Sequence, residues 1–387
     1  MRVLIAGAGP AGASLAVQLA EAGWAVTLVD ALPTPARNAY SSAALPLADA
    51  NRLLIPEACR SASWWGWQLL DPGGLEHQWW AEEQQGVVLD FALLRTHLWD
   101  RARRCGVELL NGCRVNLDRL EAQSADVILA SADETQLRTV DLVVDATGPG
   151  RHLQRQAGVA VESQDDPLLS GDGVEWLLQG DPRNTAPWRD RVSFMLGRHW
   201  IAHGYGWVFP MAHDQLKVGV CRLAPPHAHN VPLGRSLQRL LQRCGLDQLP
   251  VLNRHGGRVA STIRCRQPLG AGSLWAVGDA ASTANLLGGE GIRHAIDSAS
   301  VLSECLLTGR SQRDYQMALR QRFGWRWTVS NRLARRTWWG LNTADADRRM
   351  TRLIEGLSGQ ASAEDLSSLL FAYRFERYGW RLLPYLV

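Results

Sequence analysis

The sequence predicts an α/β protein whose parallel sheet is assembled from separated stretches of chain, and three fragments predict it. Arg2-Val3-Leu4-Ile5-Ala6 is an apolar run that ends in Gly7-Ala8-Gly9-Pro10-Ala11-Gly12 and opens into a helical pattern. Leu142-Val143-Val144 ends in Asp145-Ala146-Thr147-Gly148. Leu274-Trp275-Ala276-Val277 ends in Gly278-Asp279, with Gly288-Gly289-Glu290-Gly291-Ile292 a few residues on. Short apolar runs that stop at glycine-bearing turns suit strands buried on both faces.

The first fragment has a physical reading. A strand that turns sharply into a helix needs backbone freedom at Gly7, while Gly9 lets the main chain approach a pyrophosphate. Gly12 lets the helix pack close to the sheet, and Pro10 and Ala11 start that helix with its N-terminus on the phosphates. Asp30 ends the next apolar run, Ala25 to Val29, about 20 residues on, where a carboxylate binds a ribose hydroxyl. Strand, helix and acid stand in the order of a Rossmann-type dinucleotide site.

The third fragment selects the dinucleotide. Asp279 can hold a polyol hydroxyl, and the amides at Gly291 and Ile292 can face a developing negative charge. FAD has a ribityl chain and a ring that becomes anionic on reduction; NAD has neither. FAD is therefore the expected cofactor, against the plainer reading of a structural strand-to-helix turn.

Gly7 to Gly12, Asp30, Asp145-Ala146-Thr147-Gly148, Gly278-Asp279-Ala280-Ala281 and Gly289-Glu290-Gly291-Ile292 together resemble the superfamily of FAD-dependent geranylgeranyl reductases and aromatic-ring hydroxylases. The reductase branch is the one they resemble most. Gly204-Tyr205-Gly206-Trp207-Val208-Phe209-Pro210 is similar to the aromatic strand of that family's substrate domain. The resemblance implies that Thr147, Gly148, Gly278, Asp279, Gly289, Gly291 and Ile292 join the first turn in holding FAD. It also implies that Val115 meets adenine through its backbone.

Departures from the family pattern matter as well. Relatives commonly carry Arg or Gln near the flavin where Phe91 stands, which leaves Arg95, one turn on, to take that contact. The hydroxylases' Asp-Gly pair followed by Ser and Arg is replaced by Asp-Ala-Thr-Gly-Pro-Gly-Arg. That pair serves flavin and NADPH in such enzymes, so the electron donor stays open between NAD(P)H and a reduced partner protein. The reductases' Cys-Gly-Gly stretch is absent, and Tyr40-Ser41-Ser42-Ala43-Ala44 occupies the region.

The expected organisation is a discontinuous FAD-binding domain over 1–60, 87–150 and 265–308. A β-sheet substrate domain follows from 61–86 and 151–264, where runs such as Ser193-Phe194-Met195-Leu196 and Leu216-Lys217-Val218-Gly219-Val220 read as strands. From 309 to 387 the pattern is helical, basic and Trp-bearing. At 387 residues with 46% hydrophobic content the chain has ample core. A formal charge of +3 is too small to suggest nucleic acid.

Seven scattered cysteines without C-x-x-C or His-Cys spacing read as reduced thiols, with no metal site expected. No apolar run reaches the 18 or so residues of a membrane span, so a cytoplasmic location is expected. The arginines and tryptophans of 332–352 leave open a peripheral membrane contact, which a solvated face with a buried Trp seam would mimic.

Seventeen tryptophans suggest an aromatic pocket for a bulky hydrophobic substrate, with Tyr205, Trp207 and Phe209 lining it, although sheet-core packing accounts for many of the others. Acid-base candidates are few: His203, His294 and Glu290, the last of which could simply cap the helix at Gly291. The expected activity is FAD-dependent reduction of a hydrophobic unsaturated, isoprenoid-like or aromatic molecule. A monooxygenase is the runner-up. A flavin halogenase ranks lower, because its pocket lysine has only Lys217 as a candidate. A non-redox flavoprotein, either a cyclase or a binder of a pigment intermediate, is the reading from a different class.

Overall fold

The computed structural model describes residues 1–39, 41–160, 165–228 and 231–378; Tyr40 and the end of the expected C-terminal region lie outside them. The molecule is an α/β protein with a Rossmann-type dinucleotide fold, a large second sheet and a helical C-terminal region. The first sheet runs Gly270–Ala271, Leu274–Ala276, Leu142–Asp145, Arg2–Ala6, Ala25–Asp30, Glu108–Asn111, parallel except at the Gly270–Ala271 edge.

Strand alternation explains why these runs are apolar throughout. Val3 and Ile5 face the helices Pro10–Glu21, Phe91–Arg104 and Ile292–Leu307, where they pack with Leu15, Trp99 and Leu302. Leu4 and Ala6 face the antiparallel sheet of Arg114–Leu120, Ala125–Ala130 and Thr135–Val140, through Val127 and Leu129. Phe91–Arg104 starts at Phe91 because the Asp90 carboxylate accepts from the Ala92 and Leu93 amides.

The second sheet has seven strands in the order Val251–Ser261, Leu169–Gln179, Gln215–Arg222, Gly204–Pro210, Arg191–Leu196, Gly66–Leu70, Glu76–Trp80. Both faces are covered. Met195, Val208, Val218 and Val220 pack on the helix Leu233–Arg243 through Leu237, Leu240 and Leu241. On the other face Trp67, Trp207 and Phe209 meet Trp338, Met350, Ile354 and Leu366 of the C-terminal helices. Trp64 belongs to a separate three-stranded sheet, Ala44–Pro46, Gly86–Leu89 and Arg60–Trp64, yet its ring packs edge-on against Trp67 with centroids 5.2 Å apart.

The C-terminal helices Gln312–Gly340 and Ala363–Leu370 begin with capping boxes, Ser311 with Asp314 and Ser362 with Asp365. Gln312–Gly340 breaks at Gly324, whose φ of 71° no helix interior accommodates. No helix among the described residues is long and apolar enough to cross a membrane.

Candidate active site

The three sequence fragments meet at the C-terminal ends of the parallel strands, and two glycines bring their backbones together. Gly7 has φ +108°, and a Cβ there would lie 2.3 Å from the Ala146 carbonyl oxygen. Gly278 has φ +66°, and its Cβ would lie 2.7 Å from Cβ of Ala11. Arg151, fully buried just past the second fragment, donates to Ser282 Oγ of the third at 2.6 Å. Asp145 fixes the turn between them, accepting from the Thr147 amide and hydroxyl at 3.0 and 2.6 Å.

Asp30 accepts from the Ala8 amide at 2.7 Å and the Leu32 amide at 2.8 Å, which holds its carboxylate beside the first turn. Gly9 and Gly291 each begin a helix without any side-chain cap, whereas Asp90, Ser311, Thr343 and Ser362 cap theirs. Two helix N-termini thus keep their amides and positive dipole ends for an anionic ligand. Asp279 lies beside the second of them, its carboxylate oxygen 3.8 Å from where a Gly291 Cβ would stand. Desolvation by the surrounding protein pushes its carboxyl up to about 6, with Arg151 pulling the other way. This donor set fits FAD: N-terminal amides for the pyrophosphate, Asp30 for a ribose, Asp279 for the ribityl chain, and the Gly291–Ile292 amides for the ring.

Gly148 follows Thr147 with φ +67°. Val115 is buried on the strand Arg114–Leu120, paired with Leu129. Arg95 is buried, its guanidinium donating to the carbonyls of Arg37 and Asn38 at 3.0 and 3.1 Å and lying over the Phe91 ring. In this arrangement it anchors the 37–38 loop.

A cavity of about 410 Å³ opens from the Gly288–Arg293 turn. Its floor is the second sheet, with Phe194, Tyr205, Trp207 and Phe209; its far wall is Leu353, Leu357, Leu366 and Phe371 of the C-terminal helices. A Cβ on Gly289 would stand 2.9 Å from the Tyr205 hydroxyl, so sheet and turn are in contact. All three aromatic residues singled out in the sequence line this space.

Of the acid-base candidates, Glu290 alone lines it. Its carboxylate accepts from Arg293 Nε at 2.6 Å and from the Tyr373 hydroxyl at 3.3 Å instead of capping the helix. Burial pushes it up to about 7, against the pull of Arg293. His294 is buried behind it, 3.0 Å from the Tyr373 hydroxyl; burial and the charges of Arg293, Arg52 and Arg322 push it well below its ordinary range. His203 is buried against the Trp338 and Trp339 carbonyls, each 3.1 Å away, a packing role. Lys217 donates to the Ser41 and Leu89 carbonyls at 2.6 and 3.0 Å; it does not itself line the cavity, although Ser41 does.

Sequence reading missed Glu175, His255 and Arg293, all of which line the cavity. The available signal was a charged residue inside an apolar strand run, Val174-Glu175-Trp176-Leu177, and a histidine beside two glycines, His255-Gly256-Gly257.

Comparison with known proteins agrees with this geometry. A family model described as an FAD binding domain matches residues 1–44. The digeranylgeranylglycerophospholipid reductase of Haloferax volcanii is 28% identical over 313 residues, covering 77% of this chain and 74% of that protein. The menaquinone reductase of Mycolicibacterium smegmatis is 26% identical over 363 residues, covering 86% and 83%. The crystal structure of a geranylgeranyl bacteriochlorophyll reductase-like protein from Thermoplasma acidophilum shares the fold, with a TM-score of 0.82 at 21% identity over 100% of this chain and 99% of that one. The chain is an FAD-dependent oxidoreductase that resembles the geranylgeranyl reductase-like branch of the superfamily of geranylgeranyl reductases and aromatic-ring hydroxylases.

Proposed function

We propose that this protein reduces a carbon–carbon double bond in a polyprenyl-like hydrophobic molecule. The observation that carries this reading is the shape and lining of the cavity. It runs from the Gly289-Glu290-Gly291-Ile292 turn between an aromatic sheet face and leucine-bearing helices, which suits a long apolar chain better than a compact polar one. The reductases among its relatives support the reductase reading over the hydroxylase one.

On this reading the FAD-binding part comprises 1–60, 87–150 and 265–308, the substrate part 61–86 and 151–264, and 309–387 is the C-terminal region, whose helices Gln312–Gly340, Ala344–Gln360 and Ala363–Leu370 close the pocket. Gly7, Gly9, Pro10, Ala11 and Gly12 take the pyrophosphate, Asp30 and Val115 the adenosine half, and Thr147, Gly148, Gly278 and Asp279 the ribityl side. Gly289, Gly291 and Ile292 border the ring, and Arg95 steadies the neighbouring loop. Bound FAD supplies the two-electron chemistry. The chain's own task is to orient the double bond with Tyr205, Trp207 and Phe209 and to keep water out.

The reading is tested by product analysis. Reduced protein held under anaerobic conditions with geranylgeranyl diphosphate should yield products heavier by two hydrogens per double bond. An unchanged probe after oxidation of stoichiometric flavin would count against it.

A further inference from the structure

A second cavity, of about 570 Å³, lies at the break in the helix Gln312–Gly340. Four arginines line it, Arg264, Arg266, Arg320 and Arg332, and no acidic side chain among the described residues does. None of the residues read as holding FAD belongs to its lining.

Two short segments bring the arginines together. Arg264 and Arg266 flank Cys265, whose φ of 48° bends the chain just after the strand Val251–Ser261. The buried Asp166 carboxylate accepts from both of their amides, at 2.9 and 3.0 Å, so the bend is fixed and both oxygens of that acid are taken. Arg320 and Arg332 stand on either side of Gly324. In an unbroken helix residues twelve apart would point about 120° from each other. Across the kink at Gly324 they line one space.

Charge balance sets this place apart. Neighbouring arginines of the same helix have acids, Arg322 with Asp297 and Arg326 with Glu376. Among the described residues the guanidiniums of the four cavity arginines make no ion pair and no hydrogen bond. Like charges around one space repel unless an anion sits between them, and a concave positive surface concentrates anions from solution. Guanidinium forks match the paired oxygens of a phosphate. The wall holds one more donor: the buried Trp327 indole N–H finds no oxygen acceptor among the described residues and has only the Cys265 thiol beside it. Trp325, which also lines the cavity, is 61% exposed. One apolar cluster separates this cavity from the one at the flavin turn: Phe323, Trp327 and Val329 line the first, and Leu287, Leu333 and Phe375 line the other.

We propose that the four-arginine cavity binds a phosphate- or diphosphate-bearing ligand other than FAD. Arg264 and Arg266 hold its oxygens from one side and Arg320 and Arg332 from the other, with the Trp325 ring against the group that carries the phosphate. A free phosphorylated molecule and the headgroup of an anionic lipid offer the same chemistry, and an amphipathic indole suits either. The site does not depend on which molecule the flavin reduces.

The test titrates FAD-loaded protein with inorganic pyrophosphate in a calorimeter, at low and at high salt. Binding should saturate at one equivalent and weaken with salt. Arg264→Gln/Arg320→Gln should lower the affinity by more than about tenfold, and Arg332→Gln alone should lower it measurably. Flavin content should stay at the wild-type level in both. Arg101→Gln/Arg103→Gln, an equal loss of charge on the helix Phe91–Arg104, should bind like wild type. Co-sedimentation with phosphatidylglycerol vesicles separates the sources: arginine-dependent binding assigns a lipid headgroup, and pyrophosphate binding without it assigns a free ligand. Absence of saturable pyrophosphate binding, wild-type affinity in Arg264→Gln/Arg320→Gln, or equal losses in the two double variants overturns the site.

Discussion

The Trp207 indole donates to the Glu175 carboxylate from two strands away, 2.8 Å across the bare backbone of Gly219. A glycine in the middle of a strand usually weakens it; here it makes the slot in which the pocket's aromatic floor lies. Gly219→Ala puts a methyl group into the indole plane, and overpacking of this kind costs about 1–3 kcal/mol. Chemical denaturation should show that loss, together with a shift in tryptophan emission as the ring leaves Glu175.

Gly7 gives a second test at the cofactor end. Gly7→Ala requires φ +108° of an L residue and drives its Cβ to 2.3 Å from the Ala146 carbonyl. The first and second fragments can then no longer close on one another. The variant is expected to purify with less than a tenth of the wild-type flavin, read from the ratio of visible to ultraviolet absorbance.

Much of this site was legible in the sequence, for a physical reason. A pyrophosphate turn is local: Gly7, Gly9 and Gly12 act through spacing along six residues, and Asp30 through the length of one helix and one strand. The aromatic floor was legible as well, since Tyr205, Trp207 and Phe209 alternate on one strand and so share a face. Glu175 and His255 lie far apart in sequence, and only the register between Leu169–Gln179 and Val251–Ser261 brings them together. The Glu290 cluster was hidden likewise, because Asp49, Arg293 and Tyr373 come from three distant segments. The Gly291 helix looked as if Glu290 capped it; the tighter bond to Arg293 wins instead.

Glu290 should leave a mark on stability against pH. Its folded value is raised by burial to about 7 from an ordinary 4.5, so the folded state holds that proton more tightly than the unfolded chain. The stabilisation is full below about pH 4.5 and is lost as pH rises through about 7. Cofactor-free protein melted across this window should lose stability with rising pH, and Glu290→Gln should flatten that part of the curve.

Lys217 is the only lysine of the chain, and burial pushes its ammonium below the ordinary range while Ser41 and Leu89 carbonyls hold it. An amine-reactive ester should therefore leave Lys217 unmodified in the folded protein and label it only after unfolding. Labelled Lys217 in the native protein, located by peptide mass, would contradict the placement.

The central claim is that reduced flavin in this pocket passes its electrons to a hydrophobic double bond. The most direct measurement is anaerobic reduction followed by stopped-flow oxidation, once with geranylgeranyl diphosphate and once with air. The account expects oxidation by the polyprenyl probe, and with air a return to oxidised flavin without an accumulating intermediate. A C4a-oxygen adduct that builds up in the near ultraviolet, with no oxidation by the probe, would contradict it and make the protein a hydroxylase.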